Sequence, residues 1–135
     1  MASFKWDETY SVRVQRCDAQ HKKLFNIINQ LADAMRVAKG QEVIAQIVGQ
    51  LIAYTRTHFQ QEEALMEQAQ YPELSAHQQL HRELVADVEK FQRELDEGLR
   101  PNTVAILDFL KDWLTQHIQK VDKAYSEHLN SHGIS

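Results

Sequence analysis

The residues of this chain that could do chemistry are its seven histidines and the carboxylates spaced regularly from them. His58 and Glu62 are four residues apart, and so are His77 and His81. On a helix, this spacing places both side chains of a pair on one face, about 40° apart and one turn from each other. Each pair could therefore reach one metal ion or one dinuclear centre.

Five of the histidines are distributed over all four helices that the sequence predicts: His21, His58, His77, His81 and His117. A lone histidine on a helix is most often a core or surface residue without a ligand role. Five histidines on four helices, with two pairs at helical spacing, instead predict a metal site inside a bundle. We leave His128 and His132 outside this site, and we interpret Glu63 and Glu67 as part of a solvated face.

The elements that must position these residues follow from the apolar pattern. Apolar residues recur with the 3.6-residue period of an α-helix in four segments, at about 18–39, 41–68, 75–97 and 101–129. Asp18 and Ser75 are the expected N-caps of the first and third helices, and Pro101 suits the first turn of the fourth. Residues 1–17 lack a sustained period and are expected to form an extended N-terminal arm. The sequence thus predicts an all-α fold, an up-down-up-down antiparallel four-helix bundle, as a single domain over residues 1–135.

The composition agrees with a helical domain and excludes several classes of protein. Four glycines and two prolines are too few for the turns of a β-sandwich or β-barrel. A net charge of −4 without a cluster of basic residues argues against binding nucleic acid. No secretory signal or membrane span is recognised, so we expect a cytoplasmic protein. The single cysteine, Cys17, excludes an internal disulfide and a multi-cysteine metal site.

The sequence resembles the hemerythrin family, specifically its single-domain bacterial members. The resemblance covers nearly the whole chain and rests on the segments WDETYSV, DAQHKKLF, HFQQEEALM, HQQLH and WLTQHIQKVD. The ordered set H…HxxxE…HxxxH…HxxxxD is far more specific than any of its pairs. The resemblance implies that His21 and His58 bind one iron ion and that three histidines bind the other, with two carboxylates bridging the ions. The three histidines and the two carboxylates are His77, His81, His117, Glu62 and Asp122.

The cofactor implied by the resemblance is a pair of iron ions bridged by an oxo or hydroxo group, and the number of ligands agrees with it. Three imidazoles, two carboxylate oxygens and the bridge fill six positions on one ion. Two imidazoles with the same bridges fill five on the other, so one position stays open for a small ligand. Imidazole with carboxylate suits iron, although zinc, manganese or cobalt could occupy the same ligands.

The spacing of His117 and Asp122 is unusual because five residues on a regular α-helix separate two side chains by about 140°. Either the metal centre lies between them and is approached from both flanks, or a local π-type turn realigns them. Leu114, one turn before His117, is expected to face the centre and to border the open position. Ile118 falls in the same arc. The resemblance supports Leu114 and adds three apolar pocket residues: Leu24, Phe59 and Trp113.

The function implied is reversible binding of dioxygen, for oxygen transport, storage or delivery to an oxygen-consuming enzyme. We expect a binding protein and not an enzyme, with dioxygen as its ligand. The oligomeric state is left open, with a monomer favoured.

Three alternative functions use the same residues differently. An oxygen or redox sensor would be expected to carry a fused signalling domain, for which 135 residues leave no room. A diiron peroxidase or nitric-oxide-reducing enzyme would need a general acid or a substrate-binding group, and none can be named. A metal-free helical interaction module would make seven ligand positions an accident.

Overall fold

Four helical stretches, each with one buried face, account for the fold. The elements in chain order are α1 (Gln15–Arg36), α2 (Gln41–Gln68), α3 (Leu74–Asp96), α4 (Thr103–Gln116), a π-helical segment (His117–Asp122) and α5 (Lys123–Ser131). The last three follow one another without a gap and together form the fourth long helix. The computed structural model describes residues 4–37, 40–99 and 101–135, except the side chain of Gln41.

The helices pack as an antiparallel bundle. α1 packs against α2 and α4, and α2 packs against α3 and α5. On α3, the buried residues recur every three or four positions: His77, His81, Leu84, Val88, Phe91 and Leu95. This stripe is the amphipathic pattern from which the helix was predicted. The described residues contain no strand, and the predicted all-α four-helix bundle is confirmed. None of the helices in these ranges is long and apolar enough to cross a lipid bilayer.

The helix starts differ from the prediction in three places. Asp18 and Ser75 are not N-caps, since α1 begins at Gln15 and α3 begins at Leu74. Pro101 lies outside α4, whose N-cap is Asn102 with a side chain that accepts a hydrogen bond from the Ala105 amide at 3.0 Å. The first helix was expected to reach residue 39, but α1 ends at Arg36, and residues 38 and 39 lie outside the described residues.

Asp18 is unavailable as a cap because its carboxylate holds the N-terminal arm. One oxygen accepts a hydrogen bond from the Ser11 hydroxyl at 2.7 Å, and the other accepts one from the Val12 amide at 2.9 Å. Val12 and Val14 are buried beside them. With Asp18 inside the first turn, the helix extends back to Gln15, so residues 15–17 are helical and not part of the arm.

The rest of the arm lies against the bundle. The Asn29 side chain accepts a hydrogen bond from the Phe4 amide at 2.9 Å and donates one to the Phe4 carbonyl at 2.7 Å. The Phe4 ring stacks on Phe25 with centroids 4.1 Å apart. The arm is not wholly extended, since Glu8–Tyr10 form a short 3₁₀ turn. Residues 1–3 of the predicted arm lie outside the described residues.

Replacing Asp18 with Ala should destabilise the protein because it removes both contacts and leaves the buried Val12 amide without an acceptor. We expect the free energy of unfolding to fall by about 1–3 kcal/mol, measured by urea denaturation. The control is Asp33→Ala, on the same helix, where an exposed carboxylate lies 3.7 Å from Arg36. The control should change stability by less than about 0.5 kcal/mol. Equal losses in the two variants would contradict this role for Asp18.

Candidate metal centre

The structure brings all seven predicted ligand residues together inside the bundle, with each of the four helical stretches contributing. Their side chains form two groups in which the candidate ligand atoms all lie within 4.8 Å of one another. The larger group consists of Glu62, His77, His81, His117 and Asp122, and the smaller consists of His21, His58 and Glu62. No residue of either group is more than 4% exposed. Glu62 belongs to both groups and therefore joins them.

The two oxygens of Glu62 face different histidines. Oε2 lies 3.4 Å from His21 Nε2 and 3.2 Å from His58 Nε2. Oε1 lies 3.2 Å from both His77 Nε2 and His81 Nε2. One carboxylate thus presents one oxygen to each set of imidazoles, as a carboxylate that bridges two cations must.

Asp122 divides its oxygens in the same way. Oδ2 lies 3.2 Å from His21 Nε2, whereas Oδ1 lies 2.9 Å from both His77 Nε2 and His117 Nε2. The two carboxylates therefore face a two-histidine set on one side and a three-histidine set on the other. This is the same division that the resemblance implied for the two metal ions.

Several buried polar atoms of the centre converge without satisfying one another. His21 Nε2 and Asp122 Oδ1 have no hydrogen-bond partner despite their short contacts. His81 Nε2 and His117 Nε2 lie only 3.2 Å apart. Buried polar atoms without partners are rare because each costs free energy. Imidazole nitrogens and carboxylate oxygens that point at a common region are the donor set that a divalent cation needs, so these residues fit a metal centre.

The carboxylates of the centre favour positive charge on two of its histidines, His21 and His77. Burial opposes the charged form of His21, but the Asp122 and Glu62 carboxylates outweigh it and raise its pKa to about 9. The same balance raises the pKa of His77 to about 9. Burial opposes the ionisation of both carboxyl groups, yet the contacting histidines hold the pKa of each below its ordinary range. Two carboxylates thus stay ionised here, and either protons or metal ions must balance them.

The π-helical segment explains how His117 and Asp122 reach one centre. A π-helix has more residues per turn than an α-helix, so residues five apart come onto one face. Both side chains are buried, and His117 Nε2 lies 2.9 Å from Asp122 Oδ1. Of the two arrangements that the spacing allowed, the π-type turn is confirmed.

Hydrogen bonds to the outer ring nitrogens orient two of the histidines. His58 Nδ1 donates to Gln20 Oε1 at 2.5 Å, and the Gln20 amide group in turn donates to Gln61. His81 Nδ1 contacts Glu63 Oε2 at 2.7 Å. A proton on Nδ1 leaves the lone pair of Nε2 facing the centre, as a metal ligand requires. The interpretation of Glu63 as part of a solvated face was wrong, because 23% exposure leaves most of its side chain covered beside His81.

Tyr125 is a further residue of the centre that the sequence analysis did not assign. It is fully buried, and its hydroxyl donates to Glu62 Oε2 at 2.9 Å. The signal available in the sequence was its position one turn after Asp122. A polar tip on a residue with helical apolar spacing is easily taken for core packing.

The remaining histidines and the cysteine lie outside the two groups. His128 Nε2 contacts the Ala69 carbonyl at 2.6 Å, and His132 Nδ1 contacts the His128 carbonyl at 2.9 Å. Cys17 is buried, and burial together with the Glu62 charge raises its pKa to about 12. A thiol with so high a pKa stays protonated near neutral pH and is a poor metal ligand.

An apolar cavity of about 30 Å³ lies next to the centre. Four of the five predicted pocket residues line it: Leu24, Phe59, Trp113 and Leu114. Ile118 is fully buried but does not line this cavity. Phe59 stacks on His81 with ring centroids 3.6 Å apart, and Trp113 stacks on His117 at 4.2 Å. The aromatic walls of the cavity thus pack directly against two histidines of the centre.

Comparisons with known proteins agree with this geometry. The hemerythrin HHE cation binding domain matches residues 12–129. Myohemerythrin-1 of Phascolopsis gouldii is 34% identical over 122 residues, covering 90% of this chain and 91% of that protein. The bacteriohemerythrin of Methylococcus capsulatus is 32% identical over 132 residues, covering 97% and 100% of the two chains. A crystal structure of wild-type hemerythrin, 31% identical, superposes with a TM-score of 0.88 over 95% of this chain and 98% of that one. The chain therefore belongs to the hemerythrin family.

Proposed function

We propose that the seven-residue centre holds two iron ions and that the protein binds dioxygen there reversibly. The observation that carries the proposal is the division of the Glu62 and Asp122 oxygens between two sets of histidines. The set of His21 and His58 offers one imidazole fewer than the other set, so the iron ion on that side keeps a position for a ligand. Family membership supports the same assignment.

The chemistry that a bound pair of iron ions supplies is a reversible two-electron interaction with dioxygen. The chain contributes the ligands, their orientation and the exclusion of water. Gln20 and Glu63 fix the orientation of His58 and His81 through their Nδ1 atoms. Tyr125 holds Glu62 from the side opposite the cavity. These contacts preorganise the centre before any ligand arrives.

The cavity beside the centre favours a carrier over an enzyme. Thr55 is its only lining residue with a hydrogen-bonding group other than the Trp113 indole, and the exposed wall surface is apolar. An apolar cavity of this kind stays dry and accepts small neutral molecules. It offers no general acid for the proton transfers that a reductase or a peroxidase needs. Among the lining residues we therefore find support for binding, and none for turnover.

The deciding experiment is an optical titration of the reduced, iron-loaded protein with dioxygen, followed by deoxygenation. We expect the starting spectrum to return, with two iron atoms per chain by elemental analysis. Oxygen consumption that continues over many cycles would show an enzyme instead. A protein without stoichiometric iron would overturn the metal assignment itself.

Replacing Glu62 with Ala should remove both iron ions, because the lost carboxylate faces both sets of histidines. The iron content per chain, measured by elemental analysis, should fall far below two. Glu67→Ala, an exposed position on the same helix, is the matched control and should keep the full iron content. A stable one-iron Glu62→Ala protein that still binds dioxygen reversibly would contradict the bridging role.

Replacing Gln20 with Ala should weaken iron binding by about 10- to 100-fold, because His58 loses the acceptor that fixes its ring orientation. Competition with a chelator measures the change in affinity. The control is Gln79→Ala, whose exposed side chain bonds only to Arg82 and Glu83. If both variants hold iron equally well, the Gln20 contact does not orient the ligand.

Replacing Leu114 with Ala should enlarge the cavity beside the centre and admit water. We expect a stability loss of about 2–5 kcal/mol and faster autoxidation at matched iron content. The control is Leu110→Ala, which lines the same cavity one turn farther from His117 and should lose stability without the same rise in autoxidation. The measurement is the rate at which the oxygenated protein loses its absorption bands. Equal rates of autoxidation in the parent and in Leu114→Ala would show that Leu114 contributes to core packing and does not protect the centre from water.

A further inference from the structure

We propose that dioxygen reaches the apolar cavity between α2 and α3, through a surface cleft that Val85 and Phe59 separate from the cavity. The inference rests on the proposed function, because it concerns the path of the proposed ligand. It assigns to Val85, which belongs to neither group of candidate ligands, control over how fast the ligand enters and leaves.

The cleft has a volume of about 310 Å³ and opens between the two helices. Arg56 and Gln60 of α2 face Ala86 and Glu89 of α3 across it. An ion pair between Arg56 and Glu89 joins the two sides, with side chains that are 51% and 37% exposed. Exposed ion pairs of this kind contribute little stability. The pair therefore lies at the solvent-exposed mouth of the cleft and does not lock the two helices together.

The cleft and the apolar cavity share two lining residues, Phe59 and Val85. These two side chains therefore form the wall between the cavity and this cleft. Phe59 is held in place, because its ring lies flat on His81 with an interplanar angle of 2°. Val85 is an aliphatic side chain that is only partly buried, at the edge of the core. Of the two, Val85 is the side chain whose movement can open the wall.

Two other surface clefts do not lead to the cavity. One lies between the arm and α5 and includes Ser11, Arg13 and Lys123. The other lies near the C-terminus and includes Val14 and Ile134. Neither shares a lining residue with the apolar cavity. The α2–α3 cleft is thus the one of these three that adjoins the space beside the metal centre.

The chemistry of the path selects its ligand. A charged or strongly hydrated molecule would lose its hydration on passing from the polar cleft into the apolar cavity, which is costly. A small neutral molecule such as dioxygen carries no such cost. Side-chain rotations of partly exposed residues occur within nanoseconds, so the movement of Val85 can admit a diatomic molecule without unfolding either helix.

The test uses the kinetic signature of a barrier, measured on the iron-loaded protein by rapid mixing with dioxygen. A residue that only blocks a path changes the association and dissociation rates by the same factor and leaves the equilibrium affinity unchanged. We expect Val85→Ala to raise both rates, and Val85→Phe to lower both, by about three- to tenfold with an unchanged Kd. Ala86→Phe, which places the same new side chain in the cleft at a residue that does not line the cavity, should leave both rates unaltered.

A second measurement does not depend on oxygen binding. Exchange of dissolved xenon with the oxidised iron-loaded protein, followed by NMR, reports access to the apolar cavity directly. It should be faster in Val85→Ala and slower in Val85→Phe than in the parent. If the parent fails to bind dioxygen reversibly while the rate of xenon exchange still changes with the size of residue 85, the proposed function is wrong and the proposed path is supported. If Val85→Ala changes neither the oxygen rates nor xenon exchange, or alters only Kd, the path is overturned. Val85→Ala keeps this outcome decisive should Val85→Phe fail to fold.

Discussion

Two ionised carboxylates buried in the middle of a helical bundle are the constraint on which the rest of the structure depends. Glu62 and Asp122 have side chains no more than 1% exposed, and a buried charge is costly unless it is compensated. The compensation comes from five imidazoles carried by all four helical stretches. Each helix must therefore place its histidine at the same height along the bundle, which fixes the register of the helices against one another.

The centre separates two different environments along the bundle axis. On one side, Tyr125 presents a hydroxyl to Glu62. On the other side, four residues one turn from the histidines of the centre line the apolar cavity: Leu24, Thr55, Leu84 and Leu114. Because neighbouring helices run in opposite directions, these residues follow the histidine of the centre on α1 and α3 but precede it on α2 and α4. The alternating direction of the chain thus places a hydroxyl against Glu62 on one side of the centre and an apolar cavity on the other.

The sequence was sufficient for features that depend on neighbours along one helix, and insufficient for those that depend on contacts between helices. The apolar period predicted α2 at its observed bounds, Gln41–Gln68, and the pairs at four-residue spacing marked a site inside the bundle. Asp18 looked like a cap because its local context suits one, but its partners Ser11 and Val12 belong to the arm. Gln20 contacts His58, 38 positions along the chain, and Glu63 contacts His81, 18 positions along. A pattern of neighbouring residues cannot predict contacts over such separations.

The π-helical segment could be predicted only in part from the sequence. The five-residue spacing of His117 and Asp122 showed that a regular helix would not serve, but the choice between two arrangements depended on packing around the centre. A π-helical segment weakens the regular hydrogen-bond ladder, and such segments occur mostly at functional sites. Within the described helices, this irregularity occurs where two residues of one helix, His117 and Asp122, both face the centre. The regular α-helix resumes at Lys123. After the π-helical segment, Tyr125 lies on the buried face of this helix, where its hydroxyl donates a hydrogen bond to Glu62. One local departure from regular geometry therefore places three side chains of the centre: His117, Asp122 and Tyr125.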